Sequence, residues 1–345
     1  MDEITEETQV QLTTVGAFES LTLLKVKFDA IESTRSKELF GNGRMQVKVQ
    51  VLVAGADADG NAVAVPAEVM DSIKLIHYSN GQALGNGWDA STEQGQFTLQ
   101  SHHTASTALA TDDDDSVHPQ VRTFWVSSAG AGETQVAARV TVNQQVIRSN
   151  GTTLSSVHDS SVTLIAKEPV AYSIDSFRWY SVRRGNEEPG NRIWNYYLGL
   201  YPQGGQQVKL VDWISEGGRS SRLFANGNKL REPSTNHLQG IFVLPEQKTQ
   251  EVWLPYDGYP LSDVLSFGAQ GWLFLSTKKK RYSVKVSDRD GELTIVQAIS
   301  GYSTIEPASR DAEVFHFQAI DQYGTEHKLA IRTDFAERHF YLERG

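Results

Sequence analysis

The sequence predicts an all-β protein built from two antiparallel β-sandwich domains. Three observations carry that expectation: apolar residues recur with a period of two along most of the chain, Asp/Asn-Gly turns separate those runs, and the composition changes near the middle. Residues 1–170 hold 8 of the 33 Phe, Trp and Tyr residues, with 11 Lys+Arg against 21 Asp+Glu. Residues 171–345 hold the other 25 rings, with 21 Lys+Arg against 21 Asp+Glu. At 345 residues the chain exceeds what one hydrophobic core usually serves. The expected division places a strand-forming segment at 1–39, a first sandwich at 40–168, and a larger aromatic-rich sandwich or jelly roll at 169–345, meeting near Lys167-Glu168-Pro169.

The strands follow in order. Met45, Val47, Val49 and Val51 alternate with Gln46, Lys48 and Gln50, which puts four apolar side chains on one face. Val136, Ala138, Val140 and Val142 alternate around Arg139 and Thr141. Tyr282, Val284 and Val286 alternate with Ser283, Lys285 and Ser287, and Phe315, Phe317 and Ala319 with His316 and Gln318. Each reads as a half-buried strand of an antiparallel sheet. The punctuation agrees. Asp57-Ala58-Asp59-Gly60-Asn61, Asp288-Arg289-Asp290-Gly291 and Asp321-Gln322-Tyr323-Gly324 combine Asp side chains that bond nearby backbone with Gly, which accepts positive φ. The best helix candidate is Pro66–Ile73, with proline in the first turn and Val69 and Ile73 one turn apart.

The run Val47–Val53, its Asp57-Ala58-Asp59-Gly60-Asn61 turn and the return through Ala62-Val63 resemble a bacterial immunoglobulin-like module. Thr134–Val146 and a closing strand at Ser161–Ala166 suit the same sandwich. The resemblance covers about 40–168 and implies a spacer or presentation domain, in a bacterial or phage setting such as a particle or toxin system.

Composition narrows the function. The formal charge of −10 argues against nucleic acid as partner, which calls for a basic face. With no cysteine, disulfides, thiolate metal sites and cysteine nucleophiles are excluded. No apolar run reaches the roughly 18 residues of a membrane span. The start, Met1-Asp2-Glu3-Ile4-Thr5-Glu6-Glu7, is acidic where a signal peptide is basic and then apolar, so a soluble chain made in the cytoplasm is expected, with export by a non-classical route left open.

Ser101–Pro119, with His102, His103, His118 and Asp112–Asp115, reads as an exposed loop; a divalent cation is the sharper alternative, but the alternating Asp pattern and fixed Gly are missing. The Asp residues of the D-x-D-G turns read as backbone-bonding groups. Asn150-Gly151-Thr152 matches a glycosylation acceptor and reads as a turn, and Lys278-Lys279-Lys280-Arg281 as a solvated hairpin loop leading into Tyr282, with contact to an anionic surface as the minor alternative. No metal and no cofactor are expected, because G-x-S-x-G, H-E-x-x-H, P-loop and G-x-G-x-x-G patterns are all missing.

The second half carries the candidate binding residues. Trp179, Trp213 and Trp272 sit in strand-like contexts and are expected in the core, where each ring buries about 150–250 Å². Trp253, Tyr256, Asp257 and Tyr259 fall in a Pro/Gly-rich stretch expected to be a loop, where rings face outward. An aromatic face suits the C–H face of a sugar, and a carboxylate supplies directional hydrogen bonds to hydroxyls. The same rings suit a protein interface. The expected function is therefore non-catalytic recognition of a glycan or protein surface. Two alternatives stay open: a structural protein that self-associates or builds a particle, and a carbohydrate-active hydrolase using carboxylates among Asp212, Glu216, Asp257 and Asp263.

Overall fold

The computed structural model describes residues 16–29, 33–98, 119–152, 159–185, 191–215, 222–226, 237–257, 278–300, 314–334 and 337–345. Residues 101–118, expected to be a loop, lie outside them, as do Glu216, Tyr259, Asp263 and Trp272. The chain divides into two compact units between Pro169 and Val170.

The first unit has two sheets. In one, β1 (Ser20–Lys27) pairs with β3 (Val47–Ala56), β3 with β7 (Gln120–Ser128), and β7 with β6 (Trp88–Ser91). The short β4 (Ala62–Val63) folds back onto β3. In the other, β5 (Lys74–His77), β8 (Gly132–Val142), β10 (Val162–Lys167) and β2 (Ser36–Phe40) lie side by side, with β9 (Gln145–Arg148) returning on β8. Lettered A to G in chain order, with β2, β4 and β9 set aside as additions, the sheets are ABED and CFG, the immunoglobulin strand arrangement. The extra β2 runs parallel to the last strand. Residues before 40 therefore supply a strand to each sheet.

Valine is the commonest residue of its core among the described residues. Val47, Val49, Val51 and Val53 are buried on β3, and Val136, Ala138, Val140 and Val142 on β8. β1 lies across β8 from the opposite sheet. Burying a valine contributes on the order of 1.5–3 kcal/mol, so these two strands alone hold much of the unit together. Polar side chains close the seams. Ser149 donates to the Ser160 carbonyl (2.8 Å) and accepts from the Ala138 amide (2.9 Å), while Ser160 Oγ accepts from the Val26 amide (3.0 Å). The helix is shorter than expected, α1 (Ala67–Asp71), with Pro66 at its N-cap; Val69 and Ile73 are buried as their spacing implies.

The turns bond as read. Asp57 Oδ1 accepts the amides of Asp59 (3.0 Å) and Asn61 (2.8 Å), and Gly60 takes φ +84°. The Asn61 amide foremost holds the Asp57 carboxyl below its usual range. Asn150 is buried in its turn, its amide donating to the Tyr78 carbonyl (3.0 Å).

The second unit has three layers. Its central sheet runs β11 (Phe177–Arg184), β12 (Asn191–Leu200), β18 (Leu293–Ser300), β15 (His237–Phe242), β14 (Arg222–Asn226). On one side lies a four-stranded sheet of β13 (Leu210–Ser215), β19 (Val314–Asp321), β20 (Glu326–Asp334) and β21 (His339–Arg344). Leu198, Leu293 and Ile295 meet Phe317, Leu329, Ile331 and Phe340 there, around Trp213. Trp213 is fully buried, its Nε1 donating to the Val243 carbonyl (3.0 Å) and its ring centroid 4.5 Å from that of Phe242. On the other side, the hairpin of β16 (Thr249–Asp257) and β17 (Lys278–Lys285) lays Val252, Leu254 and Val284 on Ile193, Val296 and Ala298. The central sheet is thus covered on both faces, and all eight residues of β18 are buried. Among the described residues no helix is long and apolar enough to cross a membrane.

Candidate functional site

The hairpin positions the candidate site through strand alternation. On β16, Val252 and Leu254 turn inward and are buried, so Glu251 and Trp253 point away from the sheet and are exposed. Trp253 is 53% exposed, the most exposed large apolar residue among those described. Across the ladder, Trp253 faces Arg281, with the guanidinium 6.0 Å from the ring centroid, within cation–π reach. Arg281 Nε also lies 3.2 Å from Glu251 Oε2, an ion pair along the same face. The register pairs Pro255 with Lys279 and Thr249 with Lys285; both lysines are exposed.

Two expectations change here. The stretch from Trp253 to Asp257 belongs to a strand, not a loop, and Lys278–Arg281 opens the strand paired with it. The physical reason is the covered central sheet: Val252, Leu254 and Val284 need a paired ribbon to lie flat on it, and that ribbon extends to the Asp257–Lys278 pair. A register shift between Pro255 and Asp257 leaves Tyr256 as the inserted residue. Trp253, Tyr256 and Asp257 therefore share one strand, while Tyr259 lies outside the described residues.

Of the carboxylates considered for hydrolysis, Asp212 is buried on β13, its Oδ1 accepting the Trp213 amide at 2.9 Å. Asp257 is at the end of β16, and Glu216 and Asp263 are outside the described residues. Among the described residues no three His, Asp or Glu side chains gather as a metal site.

A second cluster escaped sequence reading. β11 and β12 bring Tyr180 against Tyr197, rings stacked at 5.3 Å, and the segment Asp288–Glu292 closes over them. Glu292 accepts hydroxyls from both Tyr180 and Tyr201 (2.7 Å each). Tyr197 donates to Asp288 (2.8 Å), which also takes Arg184 (3.1 Å). Arg178 stands over the rings of Tyr180 and Tyr201, and Arg289 over Tyr180 and Tyr197. Gly199 makes the packing possible, since a Cβ there would lie 2.6 Å from the Tyr201 ring. Burial, and then the Glu292 carboxylate, pushes the Tyr180 phenol up to about 12. Burial alone would raise Asp288, yet Tyr197 and Arg184 outweigh it and hold the carboxyl below its usual range. The hydrogen bonds of Tyr180, Tyr197 and Tyr201 to Asp288 and Glu292 join residues more than 90 positions apart, and only the strand register reveals them.

The fold and this face define a modular β-sandwich protein with an outward-facing Trp/Arg/Lys strip. No family model matches the chain, and no curated protein matches it. Among solved structures, the C-terminal domain of the Streptococcus pyogenes antigen I/II-family protein AspA is 11% identical, covers 89% of this chain and 96% of its own, and has a TM-score of 0.19. The type II cohesin dyad from the adaptor ScaA scaffoldin of Acetivibrio cellulolyticus is 9% identical, with 85% and 95% covered and a TM-score of 0.13. Likenesses this slight add nothing to the strand order, on which the architecture rests.

Proposed function

We propose that the chain is a non-catalytic recognition protein: the immunoglobulin-like unit presents the aromatic-rich unit, and the outer face of the β16–β17 hairpin meets a partner surface. The exposure of Trp253 carries this reading. Its neighbours on the strand, Val252 and Leu254, fill the layer beneath, while the Trp253 ring is turned outward beside Arg281. Exposed Trp beside Arg is the composition of contact hot spots, and a flat ring equally suits a sugar face. Tyr256 and Asp257, on the same strand, belong to the proposed site; Tyr259 stays with it on sequence grounds.

The test is a panel of neutral and acidic glycans and candidate surface proteins, probed with the whole chain and with Trp253→Ala. Saturable binding weakened about tenfold or more in the variant supports the reading. Binding that ignores the substitution would sink it.

A further inference from the structure

We infer that the immunoglobulin-like unit carries a binding site of its own, a cleft at one end of the sandwich that takes a neutral sugar. The cleft shares no residue with the hairpin face.

Its volume is about 530 Å³, within the range of about 300–1,000 Å³ usual for small-ligand sites. It forms where β5 finishes at His77, β6 starts at Trp88 and β8 starts at Gly132. Backbone bonds hold the connecting segments. The Tyr78 amide donates to the Gln135 carbonyl (2.8 Å), the His77 amide to the Gln82 carbonyl (2.9 Å), and the Ala129 amide to the Gly87 carbonyl (2.8 Å). The walls are therefore set before a ligand arrives, which lowers the ordering cost of binding.

The hydrogen-bonding groups of the cleft are only partly spent. The Gly85 amide donates to His77 Nε2 (3.2 Å), so that nitrogen accepts and Nδ1 carries the ring proton. Nδ1 then donates to Thr134 Oγ1 (2.8 Å), which leaves the Thr134 hydroxyl its own proton to give. Among the described residues that proton has no acceptor, and neither has the indole N–H of Trp88. Both side chains are 8% exposed, and donors this deep are ordinarily satisfied. Asn80 Oδ1 is taken by the Gln82 amide (2.9 Å), which leaves the Asn80 side-chain N–H groups to give. The exposed side chains of Asn86 and Glu133 make no hydrogen bond or ion pair among the described residues.

This set selects its ligand. His77 is neutral in that bonding pattern, Glu133 is the single charged side chain of the lining, and neither Lys nor Arg contributes. A phosphate, sulfate or carboxylate finds no counter-charge there. Trp88 and Ala131 are the apolar members, too few for an apolar ligand. Amide and hydroxyl donors beside one carboxylate match a neutral molecule whose groups each donate and accept, as the adjacent hydroxyls of a sugar ring do.

The experiment titrates the whole chain, followed by saturation-transfer NMR, with glucose, galactose, mannose and N-acetylglucosamine. Galacturonate and a hexose phosphate serve as acidic counterparts, and N-acetylglycinamide as a neutral amide. The variants are Thr134→Val, Thr134→Ser, Trp253→Ala and the pair Asn86→Gly/Glu133→Gln, in which glycine keeps the positive φ of Asn86 (56°). Circular dichroism confirms each fold. The expected result is saturable binding of at least one neutral sugar, weakened about threefold or more in Thr134→Val and in the paired variant, and restored in Thr134→Ser. Should Thr134→Val unfold, the paired variant carries the test, since both its side chains are exposed. Stronger binding of the acidic counterparts overturns the neutral class, and equal binding of the amide overturns the sugar. Sugar binding lost in Trp253→Ala and unchanged in the cleft variants overturns the cleft and moves the sugar to the hairpin face. Absence of binding by every sugar overturns the inference, while the hairpin reading keeps its own test.

Discussion

The two units use the same element, an antiparallel sheet, and differ in how many of its faces are covered. In the first unit two sheets and no third layer are seen among the described residues, and the buried rows of β3 and β8 are largely valine. In the second, the central sheet is buried on both faces, by ring-rich layers on one side and the aliphatic side of a hairpin on the other. Covering the second face has a consequence for function. The covering hairpin commits its apolar side inward and carries Trp253 and its basic neighbours outward.

The comparison breaks most visibly at Trp213. Trp213→Ala removes a fully buried ring and its hydrogen bond to Val243, and should destabilise the second unit by about 3–5 kcal/mol. Leu164→Ala should cost the first unit about 2–5 kcal/mol. In urea titrations of the whole chain, each substitution should move the transition of its own unit. A common shift of one transition would show that the units unfold together.

Leu254→Ala tests the third layer. It too is fully buried, and about 2–5 kcal/mol of lost stability is expected, with hydrogen exchange rising in β18. Unchanged protection there would mean that the hairpin does not cover the sheet.

A smaller effect separates the polar cluster from the apolar layers. Tyr180 ionises near 10 when unfolded and is pushed up to about 12 when folded. Its contribution is therefore complete below pH 10 and lost as pH rises from 10 towards 12. Asp288 moves oppositely: its folded value is lowered, so its contribution is present above its usual 3.8 and lost as pH falls below that. Glu292→Gln should bring the late tyrosinate absorbance step, identified by its loss in Tyr180→Phe, to lower pH. A step that stays in place would remove Glu292 as a cause.

Much of this was legible in sequence where one face is buried. The alternation of Val47–Val51 and of Phe315–Ala319 matches strands with one buried side, and Asp57-x-Asp59-Gly60 matches a turn with the expected side-chain bonds. Alternation fails where both faces are buried: Leu293–Ser300 shows no period, and Tyr196 and Tyr197 are both buried on opposite faces of β12. Trp253 was legible as a residue of interest, but not its setting. A run of Lys and Arg reads as a loop until its partner strand, more than 20 residues earlier, is known. The Tyr180–Tyr201–Glu292 cluster was illegible for the same reason, because register across three strands builds it.

Trp253→Ala gives the smallest stability effect and the sharpest test. The ring is exposed, so stability should change by no more than about 0.5 kcal/mol. The decisive measurement is the affinity ratio between the wild-type chain and this variant for the tightest ligand in the glycan and protein panel, at matched thermal midpoints. A loss of about tenfold or more with the midpoint unchanged is the predicted result. Equal affinity in two equally stable proteins would contradict the placement of recognition on the outer hairpin face.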